Sequence, residues 1–129
     1  MTTRTVVQQV MSDHWFEMDG LHTVAEAVEK LKQKGAEAII IAKRDDGDEY
    51  GLVLLSDIGK RVIAKDRATA RVNLYEIMSK PVITVSTEMD IRYCARLFER
   101  FGINQAPVVE GEVIVGLVSY RDLVLNSTQ

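Results

Sequence analysis

The sequence predicts an α+β fold of the α/β-sandwich type, in which two tandem β-α-β-β-α units pack as a pseudo-two-fold pair. Three observations predict it. The run Gly51-Leu52-Val53-Leu54-Leu55-Ser56-Asp57-Ile58 returns as Gly116-Leu117-Val118-Ser119-Tyr120-Arg121-Asp122-Leu123, with Gly, Leu, Val and Asp in the same places. Sliding the chain by 67 positions puts Val10-Met11-Ser12 on Ile77-Met78-Ser79, Val24 on Ile91, Ala27 on Cys94, Leu31 on Phe98 and Gly35 on Gly102. Both halves also alternate helical apolar spacing with short β-rich runs in the same order. One such unit has a single sheet and two helices, so it needs a partner to bury its faces, and the second copy is that partner. The repeats are expected at residues 7–68 and 69–127.

Each copy opens on an extended segment, Trp15 to Met18 and Val82 to Val85. A helix follows with one apolar stripe: Val24, Ala27, Val28 and Leu31 in the first copy, Ile91, Cys94, Ala95 and Phe98 in the second. Thr23-Val24-Ala25-Glu26 has the form of a capping box. Gly35 and Gly102 stand where a left-handed helix stop is wanted. Ala38 to Ala42 and Gly51 to Leu55 then read as a hairpin around the turn residues Asp45 to Glu49. In the second copy Ala106 to Val109 and Val113 to Val118 flank Glu110 to Glu112. The offset falls to 65 after this turn, so the first hairpin holds two extra residues, placed where insertions are cheap. A last helix starts at Ser56 and near Ser119, and the segment from about Arg61 to Glu76 completes the first helix and crosses to the second copy.

At 129 residues the chain has the length of one domain, able to bury a core without staples. The net charge of −3 argues against nucleic acid as the main partner. No apolar run reaches the length of a membrane span, and Met1 to Ser12 lacks a secretory apolar stretch, so a cytoplasmic protein is expected. The single cysteine, Cys94, excludes an intramolecular disulfide framework. It lies on the apolar stripe of its helix and reads as a core thiol. Lys60, Arg61, Lys65, Arg67 and Arg71, against Asp66 alone, read as a solvated face or as a local field favouring anions. Trp15, Phe16 and Met18 read either as core or as a subunit contact.

Duplicated units of this size, each ending in a Gly-apolar-apolar-(Ser/Thr)-x-x-Asp turn, resemble the cystathionine-beta-synthase (CBS) domain, and two in tandem resemble a CBS pair or Bateman module. The resemblance runs from about Val7 to Leu125. It rests on Ile77-Met78-Ser79-Lys80-Pro81-Val82, on Gly102-Ile103-Asn104-Gln105-Ala106-Pro107-Val108-Val109, and on Gly116 to Leu123. What it implies is a regulatory module without catalysis of its own. Such a module binds an adenosine-containing ligand (AMP, ADP, ATP or S-adenosylmethionine) in a cleft between the repeats, as an energy or metabolite sensor. Carried over residue by residue, Ser119 and Asp122 would hold ribose or phosphate, with Arg121 near the phosphate. Adenine would lie against Val82, Ile83 and Thr84 and against Asn104, Gln105, Ala106 and Pro107. The resemblance also implies a homodimer, and a separate target protein is expected because no effector domain is visible.

The chemistry suits these roles. A carboxylate such as Asp122 accepts from both hydroxyls of a cis-diol, while a hydroxyl, backbone N–H groups and a guanidinium suit an anion. Ser119-x-x-Asp122 is equally a capping box, and both readings stand at this point. The first copy departs from the pattern. Leu54 replaces the hydroxyl, Ala38 to Ile41 holds no proline, and His14-Trp15 stands in place of Pro81-Val82, although Asp57 is kept as a weaker ribose contact. One competent and one degenerate site are therefore expected. The alternative is a ligand-free dimerisation or interaction scaffold. An enzyme is not expected, since no nucleophile and base pair appears. No metal site and no required cofactor are expected: HExxH, CxxC, P-loop and Rossmann fingerprints are absent, and Asp45, Asp46, Asp48 and Glu49 lack EF-hand spacing and read as a solvated turn.

Overall fold

In helix α1 (Val24–Lys34) the Thr23 hydroxyl accepts from the Glu26 amide while the Glu26 carboxylate accepts from the Thr23 amide, and Gly35 stops the helix at φ 63°. Helix α3 (Ile91–Phe101) is built alike, with Asp90 as its cap and Gly102 at φ 65°. A side chain would be strained at either glycine, which is why both copies place one there. The two helices bury most of the predicted stripes, Val24, Ala27 and Leu31 on α1 and Ile91, Cys94 and Phe98 on α3, with Val28 and Ala95 partly buried.

The computed structural model describes residues 4–127. Around the helices run β1 (Trp15–Met18), β2 (Ala38–Ile41), β3 (Gly51–Leu54) and the short α2 (Leu55–Ile58), which continues as a π-type turn over Gly59–Ile63. The second copy gives β4 (Val85–Ser86), β5 (Gln105–Glu110), β6 (Val113–Ser119) and α4 (Tyr120–Leu125). Two three-stranded sheets result, ordered β1-β2-β3 and β4-β5-β6, each with a parallel first pair and an antiparallel hairpin. The α+β class and the β-α-β-β-α order follow the sequence reading. Helix α2 begins one residue before Ser56. The leading strand of the second copy is shorter and later than expected, with Val82 to Thr84 outside any strand.

The described residues divide into two compact units: His14 to Val82, and residues 4–13 together with 83–127. The first is organised around Phe16, Ile39, Val53 and Leu74, the second around Val7, Val85, Phe98 and Val108. The segment leading into each copy is thus built into the unit of the other. In the His14-to-Val82 unit the Leu74 amide donates to His22 O, that of Tyr75 to Gly20 O, and Ser79 and Leu52 exchange backbone bonds. In the other unit the Val7 amide donates to Met89 O, that of Gln8 to Thr87 O, and Ser12 and Leu117 exchange bonds in the same way. These pairs are related by the offsets of 67 and 65 found in the sequence.

The repeated glycine that opens the Gly-Leu-Val turn acquires its reason here. A Cβ on Gly116 would stand 2.5 Å from Met11 Sδ, and one on Gly51 would stand 2.6 Å from Met78 Sδ. In each unit a methionine from the leading segment lies directly on the strand backbone.

Candidate functional site

Helix α4 starts at Ser119, whose side-chain oxygen accepts from the Asp122 amide at 3.3 Å. Asp122 Oδ2 accepts in return from the Ser119 amide at 2.9 Å and from the Ser119 hydroxyl at 3.1 Å. The capping reading of these letters is therefore realised. All three bonds use Ser119 Oγ or Asp122 Oδ2, so Asp122 Oδ1 is free of them, and both residues are half-buried. Arg121, between them, is exposed and has no carboxylate partner among the described residues.

The hairpin register sets Gln105 directly opposite Ser119, and the Tyr120 amide donates to Asn104 O at 3.1 Å. Asn104, Gln105, Ser119 and Asp122 thus gather at one end of the β5–β6 hairpin. The side-chain oxygen of Gln105 is buried and has no hydrogen-bond partner among the described residues. Such an acceptor is costly to leave unmatched, and in native structures it calls for a specific explanation. Tyr120 seats the turn on the core by an edge-to-face contact with Phe98, the centroids 5.2 Å apart.

The parallel ladder differs between the copies. In the first, β1 meets β2 along its whole length, Trp15 opposite Ala38 through Met18 opposite Ile41. In the second, only Val85 and Ser86 pair, with Val108 and Val109. Pairing stops beside Pro107, which has no N–H to give, whereas Ile40 at the matching position pairs with Glu17. Ile83 and Thr84 lie just before the point where pairing begins. The β5 edge at Gln105, Ala106 and Pro107 accordingly has no strand partner on the β4 side among the described residues. Val82 closes the other compact unit.

In the first copy Asp57 Oδ2 accepts from the Leu54 amide at 2.8 Å, the half of the box that survives without a hydroxyl. Phe16 is core, beneath the ammonium of Lys30 at 4.8 Å, and Trp15 is half-buried with its indole N–H unpartnered among the described residues. Arg67 pairs with Glu76 at 3.0 Å, and the other cations of the Lys60-to-Arg71 run are exposed. Burial pushes the Cys94 thiol up to about 11. No group of three or more metal-ligating side chains occurs among the described residues, and no helix there is long and apolar enough to cross a membrane. The expected solvated turn holds for Asp45, Asp46 and Glu49 but not for Asp48, whose side chain is 8% exposed and paired with Lys80 and Arg44.

Among solved structures, the hexameric CBS-CP12 protein from bloom-forming cyanobacteria superposes with a TM-score of 0.93 at 33% sequence identity, over 98% of this chain and 74% of that one. The chain belongs to the CBS-domain family. The CBS domain family model matches residues 74–127, which include the Ser119 turn. A curated relative, an uncharacterized protein of Methanopyrus kandleri, is 26% identical over 103 residues, 79% of this chain. The chain spans about half the length of that relative, 52%. A CBS domain pair solved in complex with 5′-methylthioadenosine and S-adenosyl-L-methionine shares the fold at a TM-score of 0.79 and 23% identity, covering 95% of each chain. The protein is thus a CBS pair in fold, with a capped Ser119–Asp122 turn in one copy and a leucine-substituted turn in the other.

Proposed function

We propose that this CBS pair is a regulatory module that binds an adenosine-containing ligand (AMP, ADP, ATP or S-adenosylmethionine) mainly through its second copy, as an energy or metabolite sensor without catalysis. The observation that carries this reading is the interrupted β4–β5 ladder beside the buried, unmatched Gln105 oxygen. An edge without a strand partner offers backbone groups to a flat heterocycle, and the carboxamide oxygen accepts from an exocyclic amine. Asp122 Oδ1 accepts from a ribose hydroxyl while Oδ2 keeps its capping bonds. Arg121 serves the phosphate or another anionic tail. Val82, Ile83 and Thr84, from the segment before β4, are assigned to the adenine together with Asn104, Gln105, Ala106 and Pro107. The solved CBS pair that holds methylthioadenosine and S-adenosylmethionine supports the ligand class. In the first copy the closed ladder and Leu54 leave Asp57 as a weaker contact.

The module acts within a homodimer and on a separate target protein. Leu55 and Ile63, 52% and 68% exposed, border an apolar groove of the first copy floored by Val28, Leu31 and Ile58. That groove is the surface on which a second copy packs. In the alternative reading, a ligand-free scaffold, this surface is the whole function; the complete capping box favours it, because both site residues already have structural work.

The test is a thermal-shift panel with AMP, ADP, ATP, NAD and S-adenosylmethionine, repeated on Asp122→Ala. A ligand at 100 times its dissociation constant stabilises the fold by about 2.7 kcal/mol, a shift of several degrees at this size. A shift with one ligand that Asp122→Ala abolishes supports the sensor. No shift with any of them leaves the scaffold.

A further inference from the structure

A cavity of about 680 Å³ lies in the His14-to-Val82 unit at the hairpin end of β2, the end opposite Leu54 and Asp57. It is therefore away from the Leu54–Asp57 turn, the first copy's counterpart of the Ser119–Asp122 turn. Its walls are Ile41, Tyr75 and Met78, and its rim carries Lys43, Arg44 and Lys80. The volume is in the range of small-molecule sites, which combine apolar walls with a few placed polar groups.

The charges on the rim are not balanced. Arg44 and Lys80 share one carboxylate, Asp48: Arg44 donates from Nε at 3.2 Å and from its backbone amide at 2.9 Å, and Lys80 binds the other oxygen. The Lys80 ammonium, with the amide and guanidinium of Arg44, holds that carboxylate well below the usual aspartate range, so it stays ionised. The other acid in the lining, Asp19, accepts from the Leu21 amide at 2.8 Å. Lys43 has no carboxylate partner among the described residues; its ammonium sits over the Tyr50 ring, 4.9 Å from the centroid. The lining thus carries three cations against two acids, beside an apolar wall that weakens the screening of the surplus charge.

The second copy lacks this pattern. At the offset of 67, Lys43 falls on Glu110 and Lys80 on Asp13, and the hairpin there closes in a tight turn with Gly111 at φ 65°. A folding requirement common to both copies would not reverse the charge at this end. Arg44 and Asp48, from the longer hairpin of the first copy, line the cavity, and Asp48 is held by Lys80.

We propose that this cavity is a second small-molecule site, which takes a compact organic anion: an apolar or aromatic body on Ile41, Tyr75 and Met78, and one carboxylate or phosphate paired with Lys43 and reached by Arg44. The experiment is an amide ¹H–¹⁵N titration with phenylacetate and with phenyl phosphate, using neutral phenylacetamide as control. Saturable shifts at the amides of Ala42, Lys43, Arg44 and Met78 are expected with both anions and not with the amide. Lys43→Met should weaken binding roughly tenfold or more, the loss of one charge-assisted contact. Arg44→Met carries the same expectation if Lys43→Met does not fold. Asp122→Ala should leave these shifts unchanged, which keeps this site distinct from the adenosine reading. The proposal is overturned by an absence of saturable shifts up to about 10 mM, by equal binding of the neutral amide, by unchanged affinity in the folded lysine or arginine variant, or by shifts that appear at Asn104 to Ala106 and Ser119 to Asp122 instead.

Discussion

Ser119 and Asp122 hold each other: the serine oxygen accepts from the Asp122 amide, and one aspartate oxygen accepts from both the amide and the hydroxyl of Ser119. The same two side chains therefore fix the start of α4 and present the groups assigned to the ligand. Ser119→Ala removes the cap and should cost about 1 kcal/mol in urea unfolding without ligand. Ser119→Leu, which copies Leu54, should cost at least as much and also remove the ligand-induced shift. A variant that loses stability but keeps its full ligand response would separate the cap from the site.

Asp90 supplies a pH dependence of known sign. Its carboxylate is 3% exposed and accepts from the Arg92 guanidinium at 2.9 and 3.1 Å and from the Arg92 amide at 2.8 Å, which holds it down to about 2. Because the folded value lies below the unfolded one, about 3.9, this contribution is present above about pH 4. It is lost as pH falls from there toward about 2. Arg92→Leu removes the largest cause and brings the folded value back toward the unfolded one, so the variant should start less stable at neutral pH and lose less of its thermal midpoint on acidification. Melting curves collected from about pH 6 down to about pH 2 read this directly.

Cys94 should be inert to thiol reagents while the protein is folded. It is fully buried on the α3 stripe and its thiol is pushed up to about 11, so little thiolate exists at neutral pH. Labelling with a chromogenic disulfide should follow the global unfolding rate and become immediate in denaturant.

The apolar border of the first-copy groove should govern self-association. Ile63→Glu places a charge on a residue 68% exposed, where a monomer loses little stability. Light scattering after size exclusion should show a smaller molar mass for Ile63→Glu than for the parent chain. An unchanged mass would move the subunit contact elsewhere.

Much of the fold was legible because it rests on local signals. The Thr23–Glu26 box, the left-handed glycines and the apolar stripes each act within a few residues, and duplication states the same pattern twice. What was not legible depends on contacts distant in the chain. Nothing near Val7 announces that it bonds Met89, nor does Leu74 announce His22, so the exchange of leading segments emerged only in three dimensions. The expected strand over Val82 to Val85 ran ahead of the structure because the apolar run continues where pairing does not. Pro107 on the neighbouring strand was the available signal for that break. The turn reading of Asp45 to Glu49 missed Asp48 because its partner Lys80 lies far along the chain, and the cavity they border went unseen with it.

The measurement closest to the central claim is calorimetric titration of the parent chain, Asp122→Ala and Asp57→Ala with the ligand that gives the largest thermal shift. The account predicts binding to the parent chain, its loss in Asp122→Ala, and its survival in Asp57→Ala with little change in affinity. Binding that persists in Asp122→Ala and disappears in Asp57→Ala would contradict it, because the first copy would then hold the competent site.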